Sequence, residues 1–484
     1  MRASPFAAAT ALLLLGACTA GPDYAGPPAL GSVAAPGAQF VRGQQSVQAT
    51  EPGVASWWTA LADPALNDLE TRALQASPSV AAAEARVRQA RASVRLNRAN
   101  RLPQASASAI YAHAELPGVD LGGKSSGASD GTSFDFLNLG LTANWELEFA
   151  GGQRRSVEAA DAQAAAAQAS VADAQVQLTA DVAQAYVNLR ERQQRLVLLG
   201  QQRDLQHQAL AVAQQRYAAG TTAATPVEQA RIALERTGTD IATATTDREI
   251  YLDALAMLTG AAPGALDAEL AAPAAIPLPP AQVAVGDPGA LLQRRPDVRA
   301  AERTIAAASA RIGVAAAARY PKISFMGILG LGGTKPSELF QFDSLAAIAM
   351  PQLSWNFLDF GRNAARVEQA EATRDEAEAK YRQTVLAALR DAEDSLSRFG
   401  QQRETVAALA RVEASSTRMA ALTRQRYAAG VIARTDMLEA DRQALAARQA
   451  LQTATGVLTG SYIAVQKSLG LGWSDGSEAA AVQP

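Results

Sequence analysis

The chain has 484 residues, a formal net charge of −3 and only 5% aromatic residues, and it is rich in alanine, glutamine, arginine and glutamate. So small a supply of large side chains argues against a thick globular interior and for elongated helices. The near balance of charge gives nucleic acid no electrostatic footprint, and two histidines with a single cysteine leave little for a soft or borderline metal and exclude a disulfide within the chain.

At the N-terminus, MRASPFAAATALLLLGAC sets Arg2 before an apolar run to Leu15, then Gly16 and Ala17 before Cys18. The run is too short for a spanning helix and has the order of a secretory signal peptide ending in a lipobox. It predicts a signal peptide over 1–17, lipid attachment at Cys18 and export from a bacterial cytoplasm. No later window holds the uninterrupted apolar stretch of about eighteen residues that a membrane helix needs. Any membrane crossing therefore falls to strands.

The remaining chain is duplicated. QQRYAAG at 214–220 returns as RQRYAAG at 424–430, and Leu74 to Pro103 parallels Leu292 to Pro321. Trp145 and Trp355 correspond, each six residues before a glycine, Gly151 and Gly361. The copies end at MLTG (Met257 to Gly260) and KSLG (Lys467 to Gly470), joined by a Pro/Ala-rich stretch. This divides the chain into a lipid-attached segment over 18–70, a first repeat over 71–260, a linker over 261–290, a second repeat over 291–470 and a tail over 471–484. Each repeat carries a strand region, about 103–149 and about 321–359, and a helical hairpin, about 152–260 and about 361–470.

The strand regions alternate. From Leu137 to Phe149, apolar Leu139, Leu141, Ala143, Trp145 and Leu147 interleave with Asn138, Gly140, Thr142, Asn144 and Glu146, a period of two. Ala105, Ala107, Ala109 and Tyr111 make a second strand; Ile323, Phe325, Leu329 and Leu331 a third; Ala347, Ala349, Leu353, Trp355 and Phe357 a fourth. Their length suits tilted membrane strands. Four strands cannot close a barrel, and an open edge in hydrocarbon would leave N–H and C=O groups without partners, so the chain must assemble with copies of itself.

The helix read from Gln153 to Ala219 carries Val182, Leu189, Leu196, Leu210 and Tyr217 at seven-residue spacing, broken by Arg203. That seam predicts coiled-coil packing, and at ~1.5 Å per residue the helix reaches roughly 100 Å. Gly220 and Gly430 fall where a helix should stop in a left-handed residue, so RYAAG reads as the turn of a helical hairpin. The following helices are expected to start at Thr225, with Pro226 and Glu228 behind it, and at Asp436, with Glu439 in capping-box spacing.

Taken together, CTAGPDYAGP (18–27), WW and DPAL (Trp57, Trp58, Asp63 to Leu66), the WELEFAGG and WNFLDFGR strand exits and both RYAAG turns resemble the outer membrane channel family of tripartite efflux systems, the TolC, OprM and NodT-like lipoproteins. The resemblance implies a mixed α and β fold: a homotrimer whose four strands per chain build a β-barrel in outer membrane lipid, continued by an α-barrel of duplicated helical hairpins into the periplasm. It implies a periplasmic adaptor protein and an inner-membrane efflux pump of the RND type as partners. The tips that meet the adaptor would include Arg216, Tyr217 and Gly220 in the first copy and Arg426, Tyr427 and Gly430 in the second. Acidic residues after the second turn glycine, Asp436 and Glu439, would form a periplasmic gate. The first copy has Pro226 and Gln229 at those spacings and carries no gate residue.

No catalytic or cofactor-binding set emerges, so the chain reads as a passive duct. GVDLGGKS (118–125) has the spacing of a phosphate loop, but SSGASDGTS follows where a helix would have to begin. It reads as a turn between strands. His113 falls in a strand and His207 on a polar helix face, with no nucleophile constellation. The competing readings are a protein-secretion duct and a periplasmic scaffold or adaptor lipoprotein without a pore. An adaptor typically has one hairpin; this chain has two, with four alternating strands.

Overall fold

The computed structural model describes residues 19–28, 39–42, 47–48, 50–116, 132–333, 343 and 345–474. Cys18 and the stretch GVDLGGKS lie outside the described residues. In chain order the elements are β1 (Val47–Gln48), a 3-10 turn (Trp57–Leu61), α1 (Pro64–Ala76), α2 (Pro78–Ala99), β2 (Gln104–Leu116), β3 (Thr132–Glu148), α3 (Gly152–Ala218) and α4 (Thr225–Leu258). Then follow β4 (Val283–Ala284), α5 (Pro288–Arg294), α6 (Pro296–Ala317), β5 (Lys322–Gly333), β6 (Leu345–Ser354), α7 (Arg362–Ala428) and α8 (Arg434–Ser468). The order helix, helix, two strands, long helix, shorter helix occurs twice, and α3 and α7 each have 67 residues.

The chain divides into two compact units. The first comprises Met1–Pro28, Arg88–Ala166 and Glu302–Lys380. It holds one antiparallel sheet in the order β2-β3-β5-β6. Two repeat-related tryptophans fasten strand to helix here. Trp145 Nε1 donates to the Arg101 carbonyl and Trp355 Nε1 to the Arg319 carbonyl, each at 3.0 Å. Those carbonyls lie just before Pro103 and Pro321, where α2 and α6 have ended and a proline cannot continue a helical ladder. The fourth strand is shorter than its alternation suggests. Its ladder stops at the pair Lys322↔Ser354, because β5 begins after Pro321 and offers Trp355 and Phe357 no partner.

The second unit comprises Ala29–Val87, Ala167–Ala301 and Tyr381–Pro484, and its core is helical. α1 starts at a formed cap: Asp63 Oδ1 accepts from the Ala65 and Leu66 amides at 3.0 and 3.2 Å, and Pro64 occupies the first turn. The other carboxylate oxygen takes the Tyr186 hydroxyl at 2.7 Å. α1 buries Leu66, Leu69, Glu70 and Ala73, and full burial of each leucine contributes about 1.5–3 kcal/mol. Trp57 and Trp58 are buried beside it, with the Trp57 ring 6.0 Å from that of Tyr462 in an edge contact. Small residues bring the helices close: a Cβ on Gly460 would sit 3.0 Å from the Gln184 side chain.

The Pro/Ala-rich segment after α4, read from composition as a linker, is a strap laced to these helices. Side chains reach its backbone carbonyls in succession: Gln193 to Leu270 (2.6 Å), Arg190 to Ala272 (2.9 Å), Gln194 to Ala274 (2.8 Å), Thr459 to Pro277 (2.7 Å) and Arg403 to Ala281 (2.5 Å). The guanidinium of Arg190 also stacks 4.8 Å over the Tyr186 ring. β4 then pairs in parallel with β1, Val283 opposite Val47. The seven-residue seam of α3 is buried only in part. Val182 and Leu189 are enclosed, Leu196 and Leu210 half-buried, and Tyr217 is exposed.

Glu70 is fully enclosed with neither carboxylate oxygen hydrogen-bonded. Burial pushes its pKa well above the usual glutamate value. The folded state thus prefers the neutral acid: its stability is fullest below the ordinary glutamate pKa and declines as pH rises toward the raised one. Glu70→Gln should raise the thermal unfolding midpoint at about pH 8, by the equivalent of about 1–3 kcal/mol, and converge with wild type at about pH 4. A parallel pH profile for the two proteins would contradict this.

Candidate functional site

The register of the sheet sorts its side chains into two faces. Odd-numbered residues align across all four strands: Ala109, Leu139, Leu331 and Leu345 in one row; Ala107, Leu141, Leu329 and Ala347 in the next. That face stays apolar through Phe325 and Trp145 to Leu353. Many of these side chains are exposed, Leu141 at 52% and Leu353 at 67%. The even face is mixed: it carries Gln104, Ser106, Ser108, Asn138, Thr142 and Asn144 on β2 and β3, Met326, Ile328, Ile348 and Met350 on β5 and β6, and an ion pair between Lys322 Nζ and Glu146 at 2.9 Å.

The apolar face has defined limits. At the far end His113 Nδ1 and the Tyr111 hydroxyl both meet Asp135 Oδ1 at 2.9 Å; at the helix end stands Trp145. Between Asp135 and Trp145, about ten residues at ~3.4 Å each, tilted by about 40°, give a band roughly 25 Å tall, the height of a bilayer's apolar layer. Among the described residues no helix is long and apolar enough to cross a membrane. β2 and β6 are edges, each paired on one side only.

The hairpin turns in the second unit are built alike. In the first copy the Gly220 amide donates to the Tyr217 carbonyl and the Thr221 amide to that of Arg216, both at 2.9 Å. In the second, Gly430 donates to Tyr427 at 2.9 Å and Val431 to Arg426 at 3.0 Å. These are Schellman caps, and they require the left-handed backbone that Gly220 and Gly430 adopt at φ +67° and +72°. Nothing lies within 4 Å of where a Cβ would sit on either glycine, so the glycines serve backbone conformation, not packing. Arg216, Tyr217, Arg426 and Tyr427 are all exposed.

The starts of the following helices differ from expectation. Ala224 and Ala433 occupy the cap positions, and no side chain caps either helix. Thr225 already lies inside α4, whose first-turn amides of Val227 and Glu228 return to the Ala224 carbonyl. Glu228 instead pairs with Arg231 at 3.1 Å. In the second copy Asp436 falls in the first turn of α8 and Glu439 pairs with Arg442 at 3.1 Å. Both acids are exposed, on one helix face three residues apart. Asp436 gains from the positive end of the helix dipole but is not consumed by a cap. Below this turn Ala420 packs on Ala440 and Ala444, and Arg424 forms an ion pair with Asp441 at 2.8 Å across the hairpin.

A family model described as "Outer membrane efflux protein" matches residues 69–261 and 288–471, one stretch for each repeat. The chain belongs to the outer membrane efflux protein family. Outer membrane protein OprJ of Pseudomonas aeruginosa is 29% identical over 96% of this chain and 95% of its own length. Cation efflux system protein CusC of Escherichia coli is 27% identical over 97% and 98%. Among solved structures, the outer-membrane channel OprN superimposes with a TM-score of 0.78 at 31% identity, covering 94% of this chain and all of that one. This efflux protein is therefore an outer membrane channel component of a tripartite efflux system, located in the bacterial outer membrane. Its family is one of ducts, not of enzymes.

Sequence reasoning did not find the strap contacts of Arg190 and Gln193, the isolated Glu70 or the carbonyl partners of the tryptophans. The last had a signal in the paired spacing of tryptophan and proline. Gly220→Ala and Gly430→Ala should each strain their turn by about 1–2 kcal/mol. Amide exchange at 217–221 or 427–431 should then accelerate on the order of tenfold with the rest of the helices unchanged; unchanged exchange would refute the cap assignment.

Proposed function

We propose that three copies of the chain close their four-stranded sheets edge to edge into a single barrel, with the odd face in lipid and the even face lining a water-filled pore. The observation that carries this is the pair of unpaired edges, β2 and β6, on a sheet with a band of membrane height. Twelve helices, α3, α4, α7 and α8 from each of the three copies, continue the duct as a helical tunnel. Cys18 carries the lipid that fixes the chain to the membrane's inner leaflet. At the other end, Arg216, Tyr217 and Gly220 with Arg426, Tyr427 and Gly430 meet a periplasmic adaptor. An inner-membrane pump of the RND type supplies the energy, since a passive duct needs no cofactor of its own. The cargo is small molecules handed over by that pump.

Asp436 and Glu439 act as the periplasmic gate. Threefold repetition brings their exposed carboxylates around one axis, where like charge and a ring of negative potential attract cations and resist passage. In planar lipid bilayers the purified protein should give a small, cation-selective conductance. Asp436→Ala/Glu439→Ala should raise it severalfold and weaken the cation preference. Failure to insert at all would contradict the pore; unaltered selectivity in the double variant would contradict the acidic gate.

A further inference from the structure

The residues that follow the lipobox cysteine are held in a slot of the first unit. The Ala20 amide donates to the Ala150 carbonyl at 2.9 Å, extending the exit of β3 by one backbone bond. Arg155, in the first turns of α3, has a side chain only 5% exposed. Its Nε reaches the Ala20 carbonyl and its Nη2 the Gly21 carbonyl, both at 3.3 Å, and Nη2 also meets Asp23 Oδ1 at 2.6 Å. Nη1 rests on Glu158 at 2.8 Å. One guanidinium thus takes up consecutive carbonyls of a peptide that has no ladder of its own.

The opposite wall is α6, and it is open where the peptide passes. A Cβ on Gly313 would lie 2.8 Å from the Ala20 carbonyl oxygen and 2.7 Å from Arg155 Cγ, and one on Gly21 would collide with Gly313 Cα. Farther along, the Tyr24 hydroxyl donates to Glu302 at 3.4 Å.

The internal duplication supplies an independent comparison. At the repeat offsets, Arg155 corresponds to Ala365 and Gly313 to Arg95. The copies therefore depart from each other at both walls of the slot, with arginine and glycine where the peptide lies and alanine and arginine at the matching positions. Packing alone does not ask for that exchange. A buried guanidinium beside a missing side chain is what a docked backbone requires.

We infer that Arg155 and Gly313 form a dock for residues 19–23, which fixes the lipid anchor to the junction of β3 and α3 instead of leaving it on a free tether. Thr19 itself lies against Gly151, where a Cβ would come 3.4 Å from Thr19 Cα, so the docked segment ends at the exit of β3, the helix end of the sheet. Arg155 is a positioning residue for the anchor. The inference rests on the reading of Cys18 as lipid-bearing.

The test uses the full-length protein purified in detergent micelles, where protease reaches both ends of the channel, exposed to chymotrypsin, with the released N-terminal peptide followed by mass. Docking predicts slow cleavage after Tyr24 in the wild type, accelerated about tenfold or more in Arg155→Ala and in Gly313→Ala, and unchanged in Ala365→Arg. Gly313→Ala keeps every charged partner, so it reads the dock even if Arg155→Ala disturbs the start of α3. Equal cleavage rates in wild type and Gly313→Ala would overturn the dock. An N-terminal peptide without acyl mass would overturn the anchoring role while leaving the conductance test of the channel untouched.

Discussion

Hydrocarbon offers a peptide group nothing to bond with, and this constraint governs the strand-bearing half of the molecule. Within one chain β3 and β5 satisfy it on both sides, while β2 and β6 satisfy it on one. The side-chain pattern follows from the same demand. Between Asp135 and Trp145 the odd rows are apolar on every strand, as a solvent without hydrogen bonds demands, while the even rows place serine, threonine and asparagine on β2 and β3 and Met326, Ile328, Ile348 and Met350 on β5 and β6. The sheet of one chain is thus left with two edges whose peptide groups must find partners outside it.

Duplication is the second organising fact, and it acts through local chemistry more than through matching surfaces. Both repeats end their long helices with the same cap, stop their second helices before the same proline, and staple the strand exit with the same indole-to-carbonyl bond. Where the repeats differ, a contact explains it. The LQRR of the second copy, against LQAS in the first, places Arg294 and Arg295 on the carbonyls of Leu469 and Ser468 at the end of α8. Asp436 has no acidic counterpart in the first copy, which has Pro226 there, so the proposed gate would lie on one hairpin of each chain.

Much of this was legible in the sequence because it rests on short-range rules. Alternation in 137–149 gave a strand, RYAAG a helix end, and two tryptophans at a fixed distance from glycine a repeat. What escaped depends on groups brought together from distant parts of the chain. Proline and alanine in 261–290 look like a spacer until Arg190, Gln193 and Thr459 are seen to hold their carbonyls. Thr225 and Asp436 have the composition of helix caps, yet the tight turn after each glycine starts the helix at a different residue. Glu70 could not be told from any surface glutamate of an amphipathic helix, since nothing in its neighbours announces that both its oxygens are enclosed.

The central claim, that the edges of the sheet are closed by further copies of the same chain, is tested most directly by disulfide cross-linking between β2 and β6. Cysteines would be placed one on each edge, at Ala107 or Ala109 and at Ala347 or Ala349, in a Cys18→Ser background, and oxidised in the membrane. The account predicts covalent dimers and trimers for at least one pairing, reversed by reductant and absent from either single-cysteine control. Monomers alone across every pairing, with the protein inserted in the membrane, would contradict it.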